Sequence, residues 1–202
     1  MKFISTILFF ILSSSSVLIR AQEVKGYFNN MTEALIQPEQ VEYLNLSSSN
    51  FFEVPKEIIQ FKNLKRLDLG DNQIKVLPSF LGELNQLQDL RIDNNPIESF
   101  PAQFSKLVQL KKLLAKGILL KKIPPEIGML YRLQQLDLEG NLLEDISLDI
   151  NNLQELQILN LSSNQLRMIP AGLGKLKKLH TLRLVNNHLE RLPDDLIEMK
   201  NL

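Results

Sequence analysis

The 202-residue chain has no cysteine, no tryptophan and only two histidines, His180 and His188. Without Cys there is no disulfide, no thiolate metal site, no cysteine nucleophile and no N-terminal Cys to carry a lipid. Two histidines also exclude a multi-histidine metal centre. An excess of one charge is missing too, since 23 basic residues balance 23 acidic ones. Nucleic-acid binders usually carry a strong basic excess, so nucleic acid is not expected as the main partner. What is present is an ordinary globular composition, 44% hydrophobic and 23% charged, on a chain long enough to bury a core.

Long apolar runs are also absent, except at the start. Met1-Lys2 precedes Phe3 to Leu12, then Ser13 to Ser16 and Val17-Leu18-Ile19-Arg20-Ala21. A basic start, an apolar stretch and a small-residue end describe a secretory signal peptide. Cleavage after Ala21 is the first choice and cleavage after Ser16 the alternative. Read instead as an uncleaved anchor, the stretch is short of the roughly 20 residues a spanning helix needs. Residues 1–21 are therefore read as an export signal. No stable membrane span is expected after its removal, and the location is secreted, cell-surface or periplasmic.

From Val41 onward the chain repeats itself. Leu64-Lys65-Arg66-Leu67-Asp68-Leu69-Gly70-Asp71-Asn72-Gln73-Ile74 is followed 23 residues later by Leu87-Gln88-Asp89-Leu90-Arg91-Ile92-Asp93-Asn94-Asn95-Pro96-Ile97. The frame opens at Val41, Leu64, Leu87, Leu110, Leu133, Leu156 and Leu179, giving seven units, and Leu202 would open another. The pattern is L-x-x-L-x-L-x-x-N-x-L. Strand side chains alternate, so positions four and six point together into a core. Position nine holds Asn72, Asn95, Asn141, Asn164 and Asn187, whose amides can bond backbone groups of their own and adjacent coils. Pro55, Pro78, Pro101, Pro124, Pro170 and Pro193 recur at position fifteen and predict a short helical or irregular turn on the convex side.

On segments such as Leu159-Asn160-Leu161-Ser162-Ser163-Asn164-Gln165-Leu166 and Ile123-Pro124-Pro125-Glu126-Ile127-Gly128, the chain resembles the leucine-rich repeat family, in its 23-residue bacterial and Ras-suppressor-like class. It looks similar to secreted spirochaetal members, in which a signal peptide and a short segment like Met31 to Pro38 precede the first strand. The resemblance implies an exported, non-enzymatic binding protein engaging host-cell or extracellular-matrix molecules. The predicted fold is α/β: a right-handed leucine-rich repeat solenoid, a horseshoe arc of seven 23-residue repeats with a parallel concave sheet. Residues 22–40 form an N-terminal cap and 41–202 the repeat domain.

In the cap, Thr32 reads as a helix N-cap, with Ala34 and Leu35 on the helix and Leu35 able to dock on the first coil. At the other end the unit from Leu179 keeps its full apolar set. An uncapped coil there would expose a strand edge and favour self-association. The chain reads either as naturally short or as truncated relative to a longer relative. The fourth unit departs from the pattern, with Ala115 at position six and Ile118 in place of Asn. Leu114 then faces outward among Lys111, Lys112 and Lys116. It is either drift absorbed by local repacking or an apolar anchor.

Residues flanking the inward leucines face the concave sheet and are the candidate partner-binding set: Tyr43, Arg66, Asp68, Asp89, Arg91, Asp93, Lys112, Leu114, Lys116, Asp137, Glu139, Asn160, His180 and Arg183. Positions two, three, five, seven and eight are all assigned to this face. Seven strands at roughly 4.8 Å make a ladder about 30 Å long, which suits a standard interface of roughly 800 Å² per partner. The charge is banded, basic in the fourth coil and acidic in the fifth, which favours a mixed-charge protein partner. Gly172-Leu173-Gly174-Lys175 lacks the spacing and the hydroxyl residue of a phosphate loop. Asn30, Asn45 and Asn160 stand in N-x-S/T triplets that fall into the repeat or cap by chance. No carboxylate pair stands beside a nucleophile, and no catalytic residue, metal or cofactor is expected. The competing reading is a structural or envelope-associated spacer with no preferred ligand.

Overall fold

Each Leu-x-Leu pair has room for one short strand before the chain must turn, and the structure makes three-residue strands of them. The computed structural model describes residues 26–197 and Met199; the export-signal reading of 1–21 lies outside them. The strands are β1 (Tyr27–Phe28), β2 (Tyr43–Asn45), β3 (Arg66–Asp68), β4 (Asp89–Arg91), β5 (Lys112–Leu114), β6 (Gln135–Asp137), β7 (Ile158–Asn160) and β8 (Thr181–Arg183). They form one sheet in chain order. All neighbours are parallel, and Tyr43, Arg66, Asp89, Lys112, Gln135, Ile158 and Thr181 stand side by side. The sequence period is thus the sheet register. The molecule is an α/β leucine-rich solenoid, with the sheet open and lining one face.

The return path is short. It runs through 3-10 helices at Lys56–Gln60, Ser79–Glu83, Ala102–Lys106, Pro125–Met129, Leu148–Asn152 and Leu173–Lys175. Pro55, Pro78, Pro101 and Pro124 sit at the N-terminal caps, where a missing N–H costs little. Ser147 replaces the proline once and caps with its side chain, accepting the N–H of Asp149 at 3.2 Å. Between sheet and helices lies a single file of buried side chains, from Leu44 and Leu46 to Leu159 and Leu161, with Phe61 and Phe104 filling the back.

Two turn devices hold the coils together. The first is the asparagine row. Asn95 accepts the N–H of Ile74 at 3.0 Å and donates to the carbonyls of Leu69, Ile92 and Asp93. Asn72, Asn141, Asn164 and Asn187 likewise bridge their own coil to the one before. In the fourth coil Ile118 is fully buried instead, and the N–H of Ile97, which an asparagine there would accept, donates to the carbonyl of Asn95 at 2.8 Å. The second device is at position eight. Ser48, Asp71, Asn94, Gly117, Gly140, Ser163 and Asn186 all have positive φ, between 52 and 68°. Only residues tolerant of the left-handed region occur there. Position eight is therefore a turn position just past the three-residue strand, and Asp71 there still reaches Arg91 on the concave face.

The cap differs from expectation. The helix is α1, Met31–Ala34, and its N-cap is Asn30, not Thr32. Asn30 lies in an extended conformation and its Oδ1 accepts the N–H of Glu33 at 2.8 Å, which starts the helix two residues earlier. Ala34 is buried against the core, while Leu35 is exposed and does not dock. Strand β1 adds an edge to the sheet, with Tyr27 edge-on to Tyr43 at 4.8 Å between ring centres. At the far end, Leu182, Leu184 and Leu189 are only partly buried. There Asp195, on α2 (Asp194–Ile197), accepts the backbone N–H groups of Gly172 and Gly174.

Candidate functional site

The sheet register decides which side chains meet on the concave face. Position three sets Tyr43, Arg66, Asp89 and Lys112 in one row, and position five sets Asp68, Arg91, Leu114, Asp137, Asn160 and Arg183 in the next. Arg66 Nε lies 3.1 Å from Asp89. Arg91 is the hub. Its Nε reaches Asp93 at 2.8 Å, and its two terminal nitrogens reach Asp68 and Asp71 at 3.2 Å each. The hydrogen bond to Asp93, and then the charge of Asp68, hold the guanidinium above the ordinary arginine value. Burial, with the nearby Asp68 charge, pushes the Tyr43 phenol up.

Over the first four coils these residues frame a shallow concavity of about 180 Å³, lined by Tyr43, Arg66, Asp89, Arg91, Lys112 and Leu114 above the buried Leu67 and Leu90. Six candidates from four coils, with Asp68 beside them, thus converge on one depression. Further along, Lys116 reaches Glu139 at 2.9 Å, and Glu139 also accepts from Asn160 at 3.1 Å. The hydrogen-bonded Lys116 ammonium holds the Glu139 carboxyl below its usual range, and Glu139 holds Lys116 up in turn. The basic band of the fourth coil is thereby partly neutralised by the acidic fifth. His180 and Arg183 are exposed at the end of the sheet, apart from the concavity.

Four candidates have a second occupation. Asp68, Asp93 and Asn160 are buried. Asp68 accepts the N–H of Gly70, Asp93 that of Lys116, and Asn160 that of Ser162. Asp137 does the same for Glu139. The oxygens of Asp68, Asp137 and Asn160 fix the turn after their own strands and Asp93 ties its coil to the next, so part of the acidic character of the face is structural. Among the described residues no group of His, Cys, Asp and Glu is arranged to hold a metal ion, and no helix is long and apolar enough to cross a membrane.

A family profile described as a leucine-rich repeat region matches residues 22–118, and a second, for two copies of leucine-rich repeats, matches 154–198. This is a leucine-rich repeat protein. It is similar to a leucine-rich repeat protein of Leptospira interrogans, at 28% identity and TM-score 0.78 over 89% of this chain and 52% of that one. It is also similar to the ectodomain of the Arabidopsis thaliana membrane receptor kinase GASSHO1/SCHENGEN3, in complex with Casparian strip integrity factor 2. The identity is 30% and the TM-score 0.62, over 81% of this chain and 24% of that one. The Arabidopsis receptor kinase HAESA, solved with the peptide hormone IDA and the co-receptor SERK1, matches at 28% and TM-score 0.70 over 81% and 29%. The leucine-rich repeat chain thus spans about half the length of the Leptospira protein and under a third of the receptors. None of the curated proteins matches it significantly.

Proposed function

We propose that this leucine-rich repeat chain is an exported, non-enzymatic binding module that seats a protein or peptide partner on its concave sheet. One observation carries the reading: Tyr43, Arg66, Asp89, Arg91, Lys112 and Leu114 converge on one depression. An aromatic ring, an apolar side chain and pre-paired charges together make the kind of surface that anchors a partner. The ion pairs hold Arg66 and Arg91 in place before binding, which lowers the ordering cost. The similar HAESA structure, solved with a peptide hormone, supports the same use of the fold. The N-terminal segment supports export, and the spirochaetal likeness favours a host-cell or matrix partner. Mechanism here means multipoint complementarity along a rigid ladder.

The test is proximity capture with the full chain against secreted and cell-surface proteins. Capture lost in Tyr43→Ala with Leu114→Asp, and kept in a variant of the convex Leu148, supports the reading. Capture that survives the concave variant, or no reproducible capture, sinks it and favours a spacer.

A further inference from the structure

Where the chain has just left the sheet, unit position twelve carries Lys75, Glu98, Lys121, Glu144, Arg167 and Glu190 in six successive coils. The sign alternates at every step. All six side chains are exposed, and among the described residues none closes an ion pair with another. The N–H of Glu144 meets the carbonyl of Lys121, and that of Glu190 the carbonyl of Arg167, each at 3.4 Å. Backbone contact of this kind sets the rungs at a strand-like spacing of roughly 5 Å. The opposite flank has no such order, reading Lys62, Asn85, Val108, Tyr131, Gln154 and Lys177 at position twenty-two.

A row of even length with alternating sign is its own complement when reversed. Consider a two-fold axis running radially between the fourth and fifth coils. It sets Glu190 of a second copy against Lys75, Arg167 against Glu98, and Glu144 against Lys121. Every rung meets the opposite charge, and symmetry repeats each pair. The neighbouring row at position thirteen agrees. Lys122 faces Asp145, while Val76 and Met168, 73% and 60% exposed, meet the Arg191 stem and Ser99. Glu144, Asp145, Arg167 and Met168 help line a depression of about 610 Å³ on this flank, where Lys121 and Lys122 of the second copy would enter. The axis reverses the order of the coils and the flank but leaves the radial direction unchanged. The two arcs therefore stack with matched curvature, and both concave sheets stay open on the same side.

We propose that this flank is an isologous interface with a second copy of this chain, held by the reversed charge ladder. Association is tested by sedimentation of the full chain at about 0.05 M and about 0.5 M salt, because screening weakens exposed charge pairs. A dimer at low salt that dissociates at high salt is expected. Lys121→Glu sets two symmetric like-charge pairs against each other and weakens the dimer by about tenfold or more. Glu144→Lys does the same, and the two together restore it. A monomer at both salts overturns the proposal. So does a dimer indifferent to Lys121→Glu, which would point to the open end of the sheet instead.

Discussion

Arg91 Nε lies 2.8 Å from Asp93 Oδ2, and this bond turns a structural carboxylate into part of the concave face. Asp93 holds the N–H of Lys116 with its other oxygen, so it links the backbone of the fourth coil to the concave surface. Replacing Arg91 with Leu leaves Asp68, Asp71 and Asp93 facing one another without a cation. The half-exposed site limits the loss, so a drop of about 1–2 kcal/mol in urea unfolding is expected. The loss should shrink at high salt. Arg91→Lys should recover only part of it, since an ammonium cannot present a planar fork to three carboxylates.

The Lys116–Glu139 pair makes a pH prediction. Glu139 is held below its ordinary value of 4.5, so its contribution is present above that value and is lost as pH falls through the lower, folded-state value. Lys116 is held above 10.5, so its contribution is present below that value and is lost as pH rises through the raised one. The pair therefore supports the fold across the whole neutral range, by less than about 1 kcal/mol for so exposed a contact. An NMR titration of the Glu139 carboxyl should show a midpoint below 4.5 that moves upward in Lys116→Ala. An unmoved midpoint would remove the assigned cause.

The asparagine row predicts a graded series. Asn95→Ala strands the N–H of Ile74 and weakens the contacts of Leu69 and Ile92, all buried, and should cost about 1–3 kcal/mol. Asn187 makes the same bonds where its coil is only partly covered, so Asn187→Ala should cost less. Chemical denaturation of the two variants checks the order.

The strands, their parallel register and the single-file core were legible in the sequence because a 23-residue period leaves each coil only one way to bury its leucines. The cap was less legible. Thr32 and Asn30 are both good N-cap residues; the structure caps at Asn30, whose Oδ1 takes the Glu33 N–H, with Glu33 at the third helical position as a capping box prefers. Tyr27 and Phe28 were missed as a strand because their pairing with β2 falls outside the period. On the concave face, rows could be read, but the double duty of Asp68, Asp93 and Asn160 could not. Whether a carboxylate bonds a partner or its own turn depends on backbone dihedrals. The run of Ser, Asp, Asn and Gly at position eight was the available signal for those turns.

Lys112 and Lys116 should behave differently in partner binding. Lys116 is engaged by Glu139, whereas Lys112 lines the concavity beside Leu114. For an acidic partner, Lys112→Glu should slow association several-fold, roughly the scale of local charge steering. Lys116→Glu should slow it too, but part of its effect comes through release of Glu139. Stopped-flow association over a salt series separates them. Equal rates for wild type and Lys112→Glu at every salt would contradict charge steering at this face.

Gly117 and Gly140 offer a controlled comparison, because both occupy the left-handed turn of position eight, at φ 61 and 68°. A Cβ at either site pays the left-handed penalty of about 1–2 kcal/mol. At Gly140 the nearest atoms to that carbon are 3.8 Å away, so the penalty is all there is. At Gly117 the carbon lies 2.8 Å from Asn94 Oδ1, and Asn94 cannot swing aside freely because its amide donates to Asp71 at 2.7 Å. Gly117→Ala should therefore destabilise more than Gly140→Ala, and adding Asn94→Ala should abolish the difference. Thermal melts of the two single variants and of each combined with Asn94→Ala provide the check. Equal costs in the single variants would mean that Asn94 yields, and that the Asn94–Asp71 contact does not restrain this turn.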